Sequence, residues 1–219
     1  MSGPVYKFDQ VSLLLIEDQA FVRDLLVPVL KALGLGRVIA VSSAEDAVSI
    51  LSVPRALREK GNAGVIDLII SDWFLGAKSG GDLLQWVRKN DDELIQFIPF
   101  IMMSGYAGEK MVHRARDLGA DEFLAKPFSL NTVVARLLAV IDNRRQFIKV
   151  RKYFGPDRRR KDEPIDEERR RDRIAAATAA ADAAAGNGGG DEVDIVEVDA
   201  DGDGDSAGGG KSVEQGYET

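Results

Sequence analysis

Up to about Asn143 the chain is punctuated by short apolar runs at Ser12–Ile16, Val38–Val41, Leu68–Ile70, Phe100–Met103 and Glu122–Leu124. In them Leu, Ile and Val tend to follow one another instead of alternating with polar residues, the pattern of strands covered on both faces. Helical periodicity fills the intervals. Gln19–Leu33 repeats apolar residues at Phe21, Leu25, Val29 and Leu33, with Gly34 as a stop signal. Ala44–Leu51 follows the cap candidates Ser42 and Ser43, and Pro54 should end or kink that helix. Gly80–Arg88, Gly108–Leu118 and Leu130–Ile141 predict the remaining helices.

Strands alternating with helices of this length imply right-handed crossovers and a parallel sheet. The predicted fold is therefore α/β, a doubly wound five-stranded parallel sheet. Such sheets bind ligands outside the carboxyl ends of their strands, at the topological switch point. The strand ends carry polar groups. Glu17-Asp18 follows the first run, Ser71-Asp72 the third and Ser104-Gly105 the fourth, and Lys126-Pro127 comes after the fifth. Carboxylates from Glu17, Asp18 and Asp72 converging on one crevice would repel one another without a cation among them. Mg²⁺, a hard ion that takes oxygen ligands and keeps several waters, meets that need. Lys126 would add a fixed positive charge and Ser104 a hydroxyl donor for the oxygens of a phosphoryl group.

Composition changes the picture chiefly towards the C-terminus. The formal net charge is −7 over 219 residues, but 144–173 is basic and 175–219 is acidic with Lys211 as its sole basic residue. The expected organisation is an N-terminal extension at 1–10, one globular domain at 11–143, a basic then Ala-rich linker with helical propensity at 144–185, and an acidic Gly/Asp-rich tail at 186–219. The tail lacks the apolar content to offset chain entropy and is expected to be disordered. Asp199, Asp201 and Asp203 imitate the start of an EF-hand loop, but Gly210 stands where the bidentate Glu is required. The absence of cysteine excludes disulfides, thiolate metal sites and cysteine nucleophiles. Met1–Gln10 shows no signal-peptide pattern, and the longest apolar runs are too short to span a bilayer, so a cytoplasmic protein is expected. The acidic overall balance weighs against nucleic acid, although the basic block at 144–173 keeps a nucleic-acid-binding regulator as the alternative.

Singly, each polar strand end reads as an ordinary loop, cap or turn. Their order and placement are specific together. Through LLLIEDQ, LIISDWFLGAKSGGDLL, IMMSGYAG and FLAKPF, the stretch Val11–Asn143 resembles the response-regulator receiver (CheY-like) domain of two-component signalling. The resemblance implies that Glu17 and Asp18 are the acidic pair holding Mg²⁺. It makes Asp72 the phosphoacceptor and a metal ligand, and the Phe74 backbone carbonyl the remaining protein ligand. Ser104 is then the switch hydroxyl, Lys126 the phosphate-binding lysine and Phe123 the switch aromatic. Pro127 matches a cis-peptide proline, and Gly80 the glycine opening the third helix. Leu75-Gly76 departs from the family's Met-Pro usage, and bulky Phe74 and Tyr106 flank the path of the hydrolytic water. The implied function is to accept a phosphoryl group from a histidine kinase or histidine phosphotransfer protein. The signal would pass to a protein target, or to a second copy of the chain, through the face of the fourth helix, fifth strand and fifth helix. Self-phosphorylation and self-dephosphorylation would be the only chemistry, so the chain is not expected to be an enzyme. A scaffold with an inactive receiver is a further alternative, opposed by the intact Asp72, Ser104 and Lys126. The lone His113, flanked by Arg114 and Arg116, reads as a residue of a solvated helix face.

Overall fold

The structure, a computed structural model, describes residues 8–53, 65–142, 145–150, 153–157, 171, 174–176 and 178–179. The strands are β1 (Ser12–Ile16), β2 (Arg37–Val41), β3 (Leu68–Asp72), the short pair β4 (Phe74–Leu75) and β5 (Lys78–Ser79), then β6 (Phe100–Ser104), β7 (Glu122–Ala125), β8 (Phe147–Val150) and β9 (Tyr153–Pro156). The helices are α1 (Ala20–Ala32), α2 (Ala44–Leu51), α3 (Gly80–Arg88), the short α4 (Glu93–Gln96), α5 (Glu109–Leu118) and α6 (Leu130–Asp142). The main sheet has five strands in the order β2-β1-β3-β6-β7, and all of its pairings are parallel. The order reverses between β1 and β3, so the crevice beyond the ends of those two strands is the switch point.

Period-two geometry divides each strand between the faces. Leu14, Ile16, Ile39, Ile69, Phe100 and Met102 meet α2 and α3 on one side. Leu13, Leu15, Val38, Leu68, Ile70, Ile101 and Met103 meet α1 and α6 on the other. This double coverage is why the runs read as continuously apolar. Local chemistry fixes several boundaries. Ser43 caps α2 by accepting the Asp46 amide, and α2 ends at Leu51, ahead of Pro54, which lies outside the described residues. Ser79 and Asp82 form a capping box that starts α3. Gly34 and Gly119 adopt positive φ after α1 and α5.

The structure adds to one reading and corrects another. The fourfold stripe of α1 is buried only at its end: Phe21 and Leu25 are 79% and 57% exposed, whereas Leu33 is buried together with Leu26 and Leu30, which lie off that stripe. Positions four apart advance by more than a full turn, so a strict i+4 stripe drifts around the helix. The core-facing stripe runs through Val22, Leu26, Leu30 and Leu33, with steps of four, four and three. The correction concerns 144–185, expected to begin as a basic linker. Its first part is the antiparallel hairpin β8–β9, which lies against the domain through Phe147 and Phe154. Backbone pairing and an aromatic contact outweigh the charged composition there. The described residues of the Ala-rich stretch are helical. The acidic stretch 186–219, with its EF-hand imitation, lies outside the described residues.

The face of α1 can be tested by truncation. Leu30→Ala should cost about 2–5 kcal/mol of folding free energy, because it empties a packed core site. Leu25→Ala, on the exposed side, should change it by no more than about 0.5 kcal/mol. Urea denaturation of the two variants checks this; equal losses would restore the fourfold stripe as the buried one.

Candidate functional site

The loops after β1, β3, β6 and β7 bring their polar residues to one end of the sheet. Carboxylate oxygens of Glu17, Asp18 and Asp72 lie within 4.8 Å of one another. Glu17 and Asp72 are buried, and Asp18 is exposed. Lys126 joins two of the three: its Nζ donates to Glu17 Oε2 and to Asp72 Oδ2, each at 2.6 Å. Ser104 is buried at the end of β6, and its Oγ accepts the Tyr106 amide at 3.0 Å. The Lys126–Pro127 peptide is cis.

The electrostatics follow from crowding. Burial pushes the Glu17 carboxyl up from its ordinary value; the hydrogen bond from Lys126 opposes this and the Asp72 charge reinforces it. Burial alone would lower the Lys126 ammonium, but its hydrogen bonds to Asp72 and Glu17, with their charges, raise it overall. Lys126 is thus held protonated between two carboxylates whose mutual repulsion it offsets.

Asp72 is positioned by backbone as much as by side chains. The Trp73 amide donates to its Oδ1 at 2.6 Å, and Ser71 Oγ donates to its carbonyl at 2.9 Å. Gly80 donates its amide to the Trp73 carbonyl at 2.8 Å. A Cβ on Gly80 would collide with the Asp72 carbonyl oxygen and stand 2.8 Å from Ser71 Oγ. The start of α3 therefore presses on the backbone of the central carboxylate, and only glycine fits.

Of the residues picked out in the sequence, Glu17, Asp18, Asp72, Ser104 and Lys126 stand at this end of the sheet. Phe74 begins β4 and is paired with Ser79; its ring meets Tyr106 edge-on with centroids 5.4 Å apart. Phe123 lies on β7, half-buried beside the α2–α3 core. His113 is half exposed, with Glu109 3.7 Å away, as a solvated face requires. Arg114 is not simply solvated, because its guanidinium lies 5.4 Å over the Trp73 ring. Sequence reasoning also missed Arg23. Its Nη1 donates to the carbonyls of Glu17 and Asp18 at 2.8 and 3.2 Å and holds the acidic loop from the first turns of α1. No motif marked it, since it acts on backbone atoms.

The donor set is all oxygen and carries concentrated negative charge, which suits a hard divalent cation better than a soft metal. Among the described residues, Glu17, Asp18 and Asp72 are the acidic group close enough to share an ion. No helix among the described residues is long and apolar enough to cross a membrane.

Comparison with known proteins points the same way. The profile of the family described as response regulator receiver domain matches residues 13–138. The phosphate regulon transcriptional regulatory protein PhoB of Escherichia coli (strain K12) is 30% identical over 129 residues, which cover 59% of this chain and 51% of that protein. A probable chemotaxis protein CheY of Rhizobium etli is 29% identical over 132 residues, covering 60% of this chain and 93% of that one. The chain thus spans about half the length of the transcriptional relatives it matches. Among solved structures, a putative response regulator from Chloroflexus aurantiacus superposes with a TM-score of 0.51 at 24% identity, covering 61% of this chain and 98% of that one. The receiver domain of a sensor histidine kinase from Pseudomonas aeruginosa PAO1, whose structure has a magnesium ion coordinated in its active-site cleft, gives 0.51 at 23% identity, with coverage of 61% and 98%. At these identities the two structures share the fold.

Replacing Gly80 by Ala should destabilise the fold by about 1–3 kcal/mol, the usual effect of forcing an extra methyl into packed surroundings. Gly108→Ala is the control, since nothing lies within 4 Å of a Cβ at that position. Thermal unfolding of both variants checks the contrast, and a Gly80→Ala protein as stable as the control would show that the approach to Asp72 has slack.

Proposed function

Because the chain belongs to the response regulator receiver domain family, we propose that it is a phosphorylation-dependent signalling module whose phosphoacceptor is Asp72. The observation that carries this reading is the Asp72 carboxylate, bonded to Lys126 at the switch point and grouped with the other two acids. A carboxylate oxygen of Asp72 forms the new O–P bond as the donor's bond to phosphorus breaks, with the donor atom keeping the electron pair. The Trp73 amide holds one Asp72 oxygen in place during the displacement. Lys126, already 2.6 Å from the same carboxylate, transfers its hydrogen bonds to the incoming phosphoryl oxygens. Glu17, Asp18, Asp72 and the Phe74 carbonyl would hold Mg²⁺. That ion, when bound, supplies neutralising charge for acceptor and phosphoryl group alike. The chain's own chemistry is confined to gaining and losing this group, so we class it as a signalling protein and not as an enzyme. A cytoplasmic location follows from a phosphoryl supply of this kind.

The donor is a histidine kinase or histidine phosphotransfer protein. Ser104 is the switch hydroxyl. It now accepts the Tyr106 amide, and in the phosphorylated form it donates to a phosphoryl oxygen, while Phe123 turns inward beside it. The readout is a change of the face formed by α5, β7 and α6, which meets a protein target or a second copy of the chain. Among the described residues nothing favours the nucleic-acid reading of the basic segment, whose Arg145 is paired with Glu122 at 3.2 Å.

Acetyl phosphate or beryllofluoride with Mg²⁺ should modify the protein at one site, and Asp72→Asn should abolish the modification. Intact-mass and fluorescence titrations measure it; undiminished labelling of the Asp72→Asn protein would move the acceptor elsewhere. A second expectation concerns lifetime. Hydrolysis needs a water in line with phosphorus. The Phe74–Tyr106 pair, with rings 49% and 70% exposed, occupies the two positions that flank this approach in the receiver family. Phe74→Asn combined with Tyr106→Ala should speed dephosphorylation by about tenfold, equivalent to roughly 1.4 kcal/mol of barrier. Phosphate-release rates decide this, and an unchanged or slower rate would rule out water exclusion by the pair.

A further inference from the structure

The described residues beyond α6 touch the elements named above as the readout face. On β7, Glu122 is held from both sides: Arg136 of α6 donates to one oxygen at 2.9 Å and Arg145, just before β8, to the other at 3.2 Å. At the end of α5, the hairpin β8–β9 is seated on Gly119, the left-handed residue that terminates the helix. A Cβ on Gly155 would stand 2.8 Å from Gly119 Cα, and one on Gly119 would stand 3.0 Å from the Phe154 carbonyl oxygen. Two glycines are therefore in direct backbone contact. On α6, the Thr178 hydroxyl lies 2.7 Å from Asn131 Oδ1, and Ile174 packs against the apolar cluster that α6 shares with α1.

Beneath the hairpin the contact is built around a buried cation. Arg88 is 3% exposed, and its guanidinium donates to the carbonyls of Gly119, Gln96 and Ile98 at 2.9, 2.8 and 2.7 Å and to Asp121 at 2.8 Å. Phe147 lies over this guanidinium at 5.0 Å and forms an aromatic cluster with Phe97 and Phe154, with centroids 4.9 to 5.4 Å apart. The hairpin thus closes over a fixed charged platform.

We propose that this C-terminal segment is an intramolecular occupant of the α5–β7–α6 face, seated in the unphosphorylated arrangement and loosened when Asp72 is modified. The inference rests on the function proposed above, since it assigns that switch its first target within the same chain. Two mechanical links carry it. Helix α5 spans about 15 Å at 1.5 Å per residue. Its first turn follows the loop containing Ser104 and Tyr106, and its last residue precedes the Gly119–Gly155 contact. Glu122, which Arg145 grips, is the neighbour of Phe123. The glycine contact leaves no room for a rigid shift of α5 towards the hairpin, and packed interfaces respond to such shifts by separating instead of deforming. The arrangement that seats the hairpin is also the one in which Ser104 accepts the Tyr106 amide. Drawing Ser104 away and unseating the hairpin are therefore coupled, and coupling between two equilibria is reciprocal.

The test uses the full chain with beryllofluoride and Mg²⁺. Amide exchange should speed up in 147–156 on adduct formation, together with changes in α5 and β7. Gly155→Ala, which wedges the hairpin off Gly119, should raise the apparent affinity for beryllofluoride by about fivefold or more, the low end of ordinary allosteric coupling. Phe154→Ala, which weakens the same seat without the wedge, should shift it in the same direction. If Asp72 forms the adduct and α5 and β7 respond while 147–156 does not, and both variants bind as the parent does, the occupant role is overturned and the function proposed above stands. A fall in affinity in both variants would overturn it as well, placing the seated hairpin with the modified arrangement. Absence of any adduct at Asp72 would remove both readings together.

Discussion

The arrangement depends on holding like charges together. Glu17, Asp18 and Asp72 come within 4.8 Å of one another, and two of the three are buried. Left alone, that arrangement would push the loops apart. Lys126 prevents this by bonding to Glu17 and Asp72 at once, and the loops are further restrained through their backbones by Arg23, the Trp73 amide and Ser71. The site is therefore charged, restrained and short of cationic compensation, a condition in which one divalent ion or one phosphoryl group changes the balance of forces. Removing Lys126 would leave buried charge uncompensated, which costs far more than the net worth of the pair.

A buried cation organises the opposite end of the sheet. Arg88 gathers the end of α5, the chain after α4 and Asp121 into one hydrogen-bonded unit. Burial pulls its guanidinium down from the usual value, and the Asp121 charge opposes that; Asp121 in turn is pushed up by burial and held back by Arg88. Asp121 also takes the Phe100 amide at 2.8 Å, so the pair ties the start of β6 to the platform. The two ends of α5 thus lie towards different charged centres: the Lys126–carboxylate cluster at its start and the Arg88 platform, with its hairpin, at its end.

Much of this was legible in the residues. Consecutive Leu, Ile and Val announced strands with two covered faces, and the five sheet strands lie where the runs predicted them to within two residues. The strand-end rule then identified Glu17, Asp18, Asp72, Ser104 and Lys126 without reference to contacts. The failures are equally physical. The fourfold spacing in α1 predicted the helix but not its buried face, since Phe21 and Leu25 are exposed while Leu26 and Leu30 are buried. The hairpin at 147–156 was hidden because its strands are short and lie in a charge-rich stretch, and their partners, Phe97, Arg88 and Gly119, are far away in the chain.

The sequence by itself determined the order of the five sheet strands and the five longer helices, the doubly wound sheet and the identity of the groups at its carboxyl end, because periodicity and strand-end chemistry are local properties of the chain. Only the tertiary structure decided which oxygens Lys126 takes and that Arg23 serves the backbone of the acidic loop. It also decided that Gly80 and Gly155 are glycines because another backbone passes where a Cβ would be. Those facts depend on distances between residues as much as 109 positions apart, as Lys126 and Glu17 are, and such distances are set by packing the whole core.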